Sequence, residues 1–340
     1  MNKTLFNYPL KTSGLLSFCL IIVIFTFYSC EKKEPIVINE IMASNHSSIM
    51  SQDGELYDWL ELKNTSSETV TLSNVTLVLE KSTGVQAGDG EEIKEKTWDI
   101  PTLEMKAGEC VVIFASKKDK NDPKGELHAS FKLPSTGGKL KLMNGSVIMC
   151  EISFPELEDD QCYRRLDDGS YELSYEATPG EDNTAEGYEK SCSKIEKQRT
   201  GSLKIWELHS KGHKTGEAWV EIKNISSSPV ALQDYCLTTS KKDMSQWTFP
   251  EVELQPGALY VVDSQKDGFK IGKNKSIMLT KDGKFVDGLC ANAAPHGTTS
   301  GRVEGKAGTF YFKSPTRGQE NTTTHSRTPS QEADDEDSDE

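Results

Sequence analysis

The stretch DWLELKN, residues 58–64, returns as AWVEIKN at residues 218–224. Trp, aliphatic, Glu, aliphatic, Lys and Asn keep their order. Successive side chains of a strand point to opposite faces, so Leu60 and Leu62 share one face while Trp59, Glu61 and Lys63 share the other. The second copy sorts the same way, with Val220 and Ile222 against Trp219, Glu221 and Lys223. The aliphatic pair marks a core face. The other face is half polar, yet a Trp side chain can bury about 150–250 Å² and is seldom left wholly in water. A loop or sheet edge is therefore expected over each ring.

The echo extends outward in both directions. IVINEIMAS (36–44) aligns with LKIWELHSK (203–211), and TWDIPTLEMKAGECVVIFASKKD (97–119) with QWTFPEVELQPGALYVVDSQKD (246–267). KLKLMNGSVIM aligns with SIMLTKDGKFVD (276–287), CYRR (162–165) with TSGR (299–302), and ATPGEDN (177–183) with SPTRGQEN (314–321). Length differences fall in segments such as STGVQAGDGEEIKEK and ELEDD, where loops tolerate them. Each copy has the size of a domain rather than of a solenoid repeat. The chain divides into a first domain at 35–184, a polar linker at 185–200 and a second domain at 201–321. A tail at 322–340 ends in EADDEDSDE and carries too little apolar material to fold.

Within each copy the runs IVINEIM, WLELKN, VTLVLE, CVVIFAS and KLKLMN are short and rich in β-branched and aliphatic residues. Gly, Asn, Ser and Asp punctuate them. Asn144-Gly145 and Asp282-Gly283 are hairpin signals, because these pairs accept the positive φ of a type I′ turn. No long apolar stripe of helical period stands out. The pattern predicts an all-β chain of two tandem β-sandwiches.

INEIMASN with DWLELKN, WDIP with AGECVVI, GGKLKLMNG and TPGEDN together resemble a lamin tail domain. The resemblance implies an immunoglobulin-like sandwich, and it runs along nearly all of residues 35–184. The second copy diverges from it, with Trp206 in place of the family's Asn and Pro315-Thr316-Arg317-Gly318 in place of Thr-Pro-Gly. Bacterial members of that family are secreted or surface proteins, often joined to hydrolase or kinase-like domains, and no motif of such a domain is seen in this sequence. The resemblance thus implies a fold and a location rather than a reaction.

The front of the chain points to the same location. Lys3 and Lys11 precede the apolar residues 14–29, which are short for a bilayer span of about 20 residues and suit a signal peptide. Ser29-Cys30 followed by EKKEP resembles a bacterial lipobox, which implies cleavage after residue 29, lipidation of Cys30 and a short linker at 30–34. An uncleaved signal anchor is the alternative. Glu31 rather than Asp after the Cys favours the outer membrane, with the leaflet left open. A net charge of −14 repels phosphate backbones, so nucleic acid is excluded as the expected partner. Six cysteines follow Cys30, at 110, 150, 162, 192, 236 and 290; free thiols and a Cys236–Cys290 pair both stay open.

Candidate chemistry is sparse. Glu40 and Glu207 recur as Glu61 and Glu221 do, so pairing of the first two strands brings two carboxylates together in each domain. Arg165 and Arg302, late in each copy, are the expected ion-pair partners of these signature glutamates. Two carboxylates alone make a poor cation cage, so no metal and no cofactor are expected. Trp98 and Trp247, ahead of Pro101 and Pro250, are the aromatics to test for glycan stacking, with a core or edge position as the alternative. His209 and His213 sit in a Gly-containing segment that reads as a loop, and no P-loop, GxSxG or HExxH occurs. The expected function is a non-catalytic envelope lipoprotein that binds or scaffolds a protein or glycan partner. A glycan-binding surface protein is the runner-up, and a hydrolase or cation-dependent activity stands behind both.

Overall fold

The computed structural model describes residues 35–87, 90–210, 218–272, 275–291, 294, 297–322 and 324–326. Cys30, His213 and the acidic end of the tail lie outside the described residues. The first half contains β1 (Ile36–Met42), β2 (Trp59–Asn64), β3 (Val70–Leu72), β4 (Val75–Ala87), β5 (Gly90–Ile100), β6 (Leu103–Met105), β7 (Cys110–Phe114), β8 (Leu127–His128), β9 (Gly138–Asn144), β10 (Val147–Phe154), β11 (Cys162–Arg165) and β12 (Tyr171–Ser174). After α1 (Ala185–Gln198), the second half contains β13 (Leu203–His209), β14 (Trp219–Asn224), β15 (Val230–Ala231), β16 (Tyr235–Thr238), β17 (Trp247–Thr248), β18 (Glu253–Leu254), β19 (Leu259–Asp263), β20 (Ser276–Lys281), β21 (Lys284–Cys290), β22 (Thr299–Gly301) and β23 (Phe310–Phe312).

The halves share one topology. In the first, a sheet ordered β12-β11-β1-β2-β7-β8 joins a sheet ordered β10-β9-β4-β5, with β3–β6 as a side ribbon. In the second, β23-β22-β13-β14-β19 joins β21-β20-β16-β17, with β15–β18 as the ribbon. The first core takes Ile36, Ile38, Leu60, Leu62 and Ile113 from one sheet and Leu77, Leu79, Trp98, Leu140 and Leu142 from the other. The second is built likewise from Leu203, Ile205, Val220 and Ile222 against Leu237, Ile277 and Leu279. Leu60, Leu62, Val220 and Ile222 are thus core residues, as alternation predicts. Gly145 (φ 58) and the pair Asp282 (φ 51)–Gly283 (φ 70) turn through the left-handed region at the two hairpins.

One irregularity positions the functional face. The β1–β2 register slips between Ile38 and Glu40, making Asn39 the extra residue of a bulge; β13–β14 slips between Ile205 and Glu207, making Trp206 its counterpart. A bulge reverses the inside–outside alternation beyond it. Ile38 and Ile41, three apart, therefore both enter the core, and Glu40 is turned to the opposite face beside Glu61.

The stretch 185–200, expected as a polar linker, is for the most part the helix α1. Thr184 caps it, its Oγ1 accepting from Gly187 N (3.1 Å). Tyr188, Ser191, Cys192 and Ile195 fall at helical spacing, with Ser191 and Cys192 buried. That stripe is the sequence signal for the helix, masked by a low overall hydrophobicity. The two sandwiches form one compact unit. Met50 and Leu56 of the first pack with Met278 and Phe285 of the second. Gln198 is bonded in both directions to the Met50 backbone (3.1 and 2.9 Å). A Cβ on Gly288 would lie 2.9 Å from that of Ser47, so the two sandwiches touch where only glycine fits.

Candidate functional site

Glu40 and Glu61 stand directly opposite each other across β1–β2, and both are fully buried. The segment after β12 closes over them. Thr178 N approaches both oxygens of Glu40 (3.2 and 3.1 Å) and Thr178 Oγ1 lies 3.0 Å from Oε2. Gly180 N donates to Glu61 Oε2 (2.6 Å), and the bulge residue Asn39 donates through Nδ2 to Glu61 Oε1 (2.7 Å). Asn183 locks this strap by donating from Nδ2 to the carbonyls of Asn39 (3.1 Å) and Arg165 (2.8 Å).

The second domain repeats the strap's part of the lock, while the bond that Asn39 gives Glu61 has no counterpart from Trp206 and Thr299 Oγ1 donates to Glu207 instead. Glu207 faces Glu221, both buried. Thr316 N lies 3.3 Å from each oxygen of Glu207, Gly318 N donates to Glu221, and Asn321 Nδ2 donates to the carbonyls of Trp206 (3.2 Å) and Arg302 (2.7 Å). Thr-Pro-Gly-x-x-Asn and Thr-Arg-Gly-x-x-Asn are thus one motif with a free second position. Matching Thr316 to Thr178 confines the strap's divergence to that one position, and Trp206 in place of Asn39 remains as a difference.

The threonine hydroxyls serve one glutamate of each pair. Thr178 Oγ1 sits within reach of two acceptors, Glu40 Oε2 and Asn183 Oδ1 (2.6 Å), and has one hydrogen to give. Thr316 Oγ1 stands between Glu207 Oε2 (2.5 Å) and Asn321 Oδ1 (2.9 Å) in the same way. The retained proton sits on the other glutamate of each pair, Glu61 or Glu221. Burial, and then the charge of Glu40, push Glu61 up to about 8; burial, and then the charge of Glu207, push Glu221 up to about 8; burial also raises Glu40. Each pair therefore keeps a proton at neutral pH. With both carboxyls buried and N–H and O–H donors aimed at them, the arrangement holds a proton in place. The same donors occupy the positions a cation would need.

The rest of the repeated phrase is spent on the same closure. Trp59 is buried with Met42, Phe114, Cys162 and Ala177 beneath the strap. Trp219 is buried and stacks on His209 (centroids 5.9 Å). Lys63 pairs with Asp182 of the strap (2.8 Å), and Lys223 with the matching Glu320 (2.9 Å). Asn64 donates to the carbonyls of Glu68 (2.8 Å) and Met105 (2.9 Å), and Asn224 to those of Ser228 and Leu254 (both 2.8 Å).

Three expectations are corrected. Among the described residues the guanidinium of Arg165 bonds the Leu166 carbonyl (3.5 Å) and not a signature glutamate. It is Arg164 that lies opposite Glu40 in register, and it pairs with Glu172 (2.8 Å). Arg302 is buried but pairs with Asp287 (2.8 Å) and Glu196, tying β21 and α1 together. In both domains backbone and hydroxyl donors from the strap, rather than an arginine, occupy the carboxylate face. Trp98 is 3 % exposed and part of the core, so it offers no stacking surface. Trp247 is half-buried, edge-on to Phe249 (4.9 Å) and bonded through Nε1 to the Asp267 carbonyl (2.8 Å). All six cysteines after Cys30 are free thiols, so Cys236 and Cys290 do not pair.

Residues 196–294 match the family model Lamin Tail Domain. The lamin tail match falls on the copy whose signature departs more from the family pattern, and it spans Glu207 and Glu221 but ends before the strap at Thr316–Asn321. No curated protein matches. Two crystal structures of the Amycolatopsis orientalis exo-chitosanase CsxA, the second a D469A complex with PNP-beta-D-glucosamine, align at 14 % identity with TM-scores of 0.19 and 0.17. They cover 76 % and 68 % of this chain but only 26 % and 25 % of the enzyme, so the chain spans about a quarter of that protein's length. Likenesses of that size carry no argument about activity.

Proposed function

We propose that this chain is a non-catalytic binding or scaffolding lipoprotein of the cell envelope, built from two lamin-tail-like domains and held to the outer membrane by lipid on Cys30. The observation that supports the tandem reading is the strap-and-pair lock, reproduced in residues 35–184 with the same Thr and Gly strap donors as in the matched second domain. The same lock supports a non-catalytic role, because the residues that recur between the copies are used up inside each sandwich. Binding then belongs to the surfaces where the copies differ. The partner is an envelope protein; of the two aromatics a glycan reading would use, Trp98 is in the core and Trp247 is half-buried against Phe249.

The test is metabolic labelling with a clickable fatty acid in cells expressing the chain or its Cys30→Ala variant, with protease shaving of intact cells. Label on the parent and none on the variant is the expected result. Equal labelling of both, or none of either, removes the lipid anchor. Affinity capture from envelope extracts should return the same partner with lamin-tail domains joined as here, and loss of capture on Cys30→Ala alone would mean that the anchor rather than the sandwiches recruits it.

A further inference from the structure

The largest difference between the two copies is the β4–β5 hairpin. The second domain pairs β16 with β17 over only Cys236–Thr248 and Leu237–Trp247, whereas the β4–β5 register runs from Val75–Ile100 out to Ala87–Gly90. The inner face of this arm starts as core, with Leu77 opposite Trp98. It then changes character. Lys96 stands opposite the buried Leu79, and Lys81 stands directly opposite Lys94 on the same face. Like charges at opposed strand positions repel. A fourth lysine joins them: Ser130 Oγ donates to the Thr97 carbonyl (2.9 Å) and Lys117 N to the Ala129 carbonyl (3.0 Å), which sets Lys117 beside the arm. The charges of Lys81, Lys117 and Lys94, after burial, lower the Lys96 ammonium. None of the four makes an ion pair among the described residues, although Lys118 is held by Asp53 and Lys141 by Glu80. A chain of net charge −14 thus keeps a lysine cluster with no ion pair among the described residues, on a hairpin that its second domain has only in a short form.

The arm also has an open edge. β5 is the last strand of its sheet. Backbone groups alternate between the two sides of a strand, so Glu95 and Ile93 turn their N–H and C=O the same way as Thr97, whose carbonyl Ser130 covers. Beyond Thr97 the edge pairs with no other strand among the described residues, and the Ile93 side chain is 55 % exposed on the outer face. Long unpaired edges are templates for another strand.

We propose that the β4–β5 arm docks an extended acidic peptide of a partner protein, which adds as a strand along β5. Carboxylates at alternate positions meet Lys81, Lys94 and Lys96 on the inner face, and an apolar side chain between them covers Ile93 on the outer face. This names the partner chemistry of the binding module and rests on that reading. Lipid labelling of Cys30 tests the anchor separately, so failure of one leaves the other standing.

The probe is a fluorescent heptapeptide alternating Glu and Val, titrated by anisotropy into the full chain in detergent at low and at physiological salt. Saturable binding that weakens with salt is expected. It should weaken about tenfold or more in the Lys81→Ser, Lys94→Ser, Lys96→Ser triple variant. Glu95→Pro removes only the outward N–H, which an edge strand tolerates, and should abolish binding with the lysines intact. The same peptide N-methylated at alternate backbone positions should not bind. No binding at low salt overturns the proposal. So does equal binding by the N-methylated peptide or by an oligoglucuronate of equal charge, since either reduces the arm to a general polyanion patch.

Discussion

Replacing Glu61 by Gln tests the proton held in the first domain. Burial and the charge of Glu40 raise Glu61 from the ordinary carboxyl value of 4.5 to about 8. The folded chain therefore keeps a proton that the unfolded chain releases between those values. Stability from this group is complete below about pH 4.5 and is lost as pH rises toward 8, at up to about 1.4 kcal/mol per pH unit. Over the whole interval the ceiling is about 5 kcal/mol. Gln removes that slope but has one acceptor oxygen for the two donors that Glu61 satisfies, Asn39 Nδ2 and Gly180 N. One donor loses its partner, a pH-independent cost of about 1–3 kcal/mol. Glu61→Gln should thus be less stable than the parent at pH 4.5 and equal to it between about pH 5 and 7, where the lost slope cancels the lost bond. Above the crossing it should be the more stable of the two. Urea-dependent hydrogen exchange of the peptide spanning residues 176–184 reads this in the first domain without contribution from the second. Taking the difference between variant and parent cancels every other titrating group. A difference that stays constant within about 0.5 kcal/mol from pH 4.5 to 9 refutes the reasoning.

Two further substitutions separate the strap from its surroundings. Gly180 (φ 76) and Gly318 (φ 75) each combine a left-handed backbone with the N–H that caps a buried glutamate, so Gly180→Ala and Gly318→Ala should each cost about 1–2 kcal/mol, measured as a fall of several degrees in the melting temperature of the corresponding domain. Arg302→Leu takes one of three cations from Asp287 and Glu196, which keep Arg199 and Lys204, and should cost about 1–3 kcal/mol in urea unfolding, while Arg165→Leu should stay within about 0.5 kcal/mol.

Which parts of this architecture can be read from sequence depends on how local each determinant is. Alternation within six residues sorts Leu60 and Leu62 from Trp59, Glu61 and Lys63, and the structure keeps that sorting. The glutamate pair is nearly as local, because it needs only the pairing of two early strands. The bulge that creates it is visible as a change in apolar spacing, Ile38 to Ile41 and Ile205 to Leu208. The partners of that pair are not local. Thr178 lies 138 residues from Glu40, and Thr316 lies 109 from Glu207. Charge complementarity alone points to Arg165 and Arg302, yet a buried carboxyl is satisfied as well by N–H and O–H donors as by a cation. Only the path of the chain decides between them. The domain junction is less legible still, since Gly288 against Ser47 has no pattern within either copy.

The late position of both straps has a consequence for where either domain becomes complete. The family match at 196–294 contains Glu207 and Glu221 but none of Thr316, Gly318 and Asn321. A chain ending at Lys313 keeps every strand of the second sandwich through β23 (Phe310–Phe312) and loses the strap with the tail behind it. It gives up three donors to the pair, Thr316 N, Thr316 Oγ1 and Gly318 N. At about 1 kcal/mol each, the loss is about 3 kcal/mol, a large share of a typical domain's 5–15 kcal/mol. Thermal unfolding followed by calorimetry should show the second transition lowered by several degrees relative to a chain ending at Thr322, with the first unchanged. If the two chains melt alike, the strap is a passive tail, and the recurrence of DWLELKN and AWVEIKN must be explained by the strands alone.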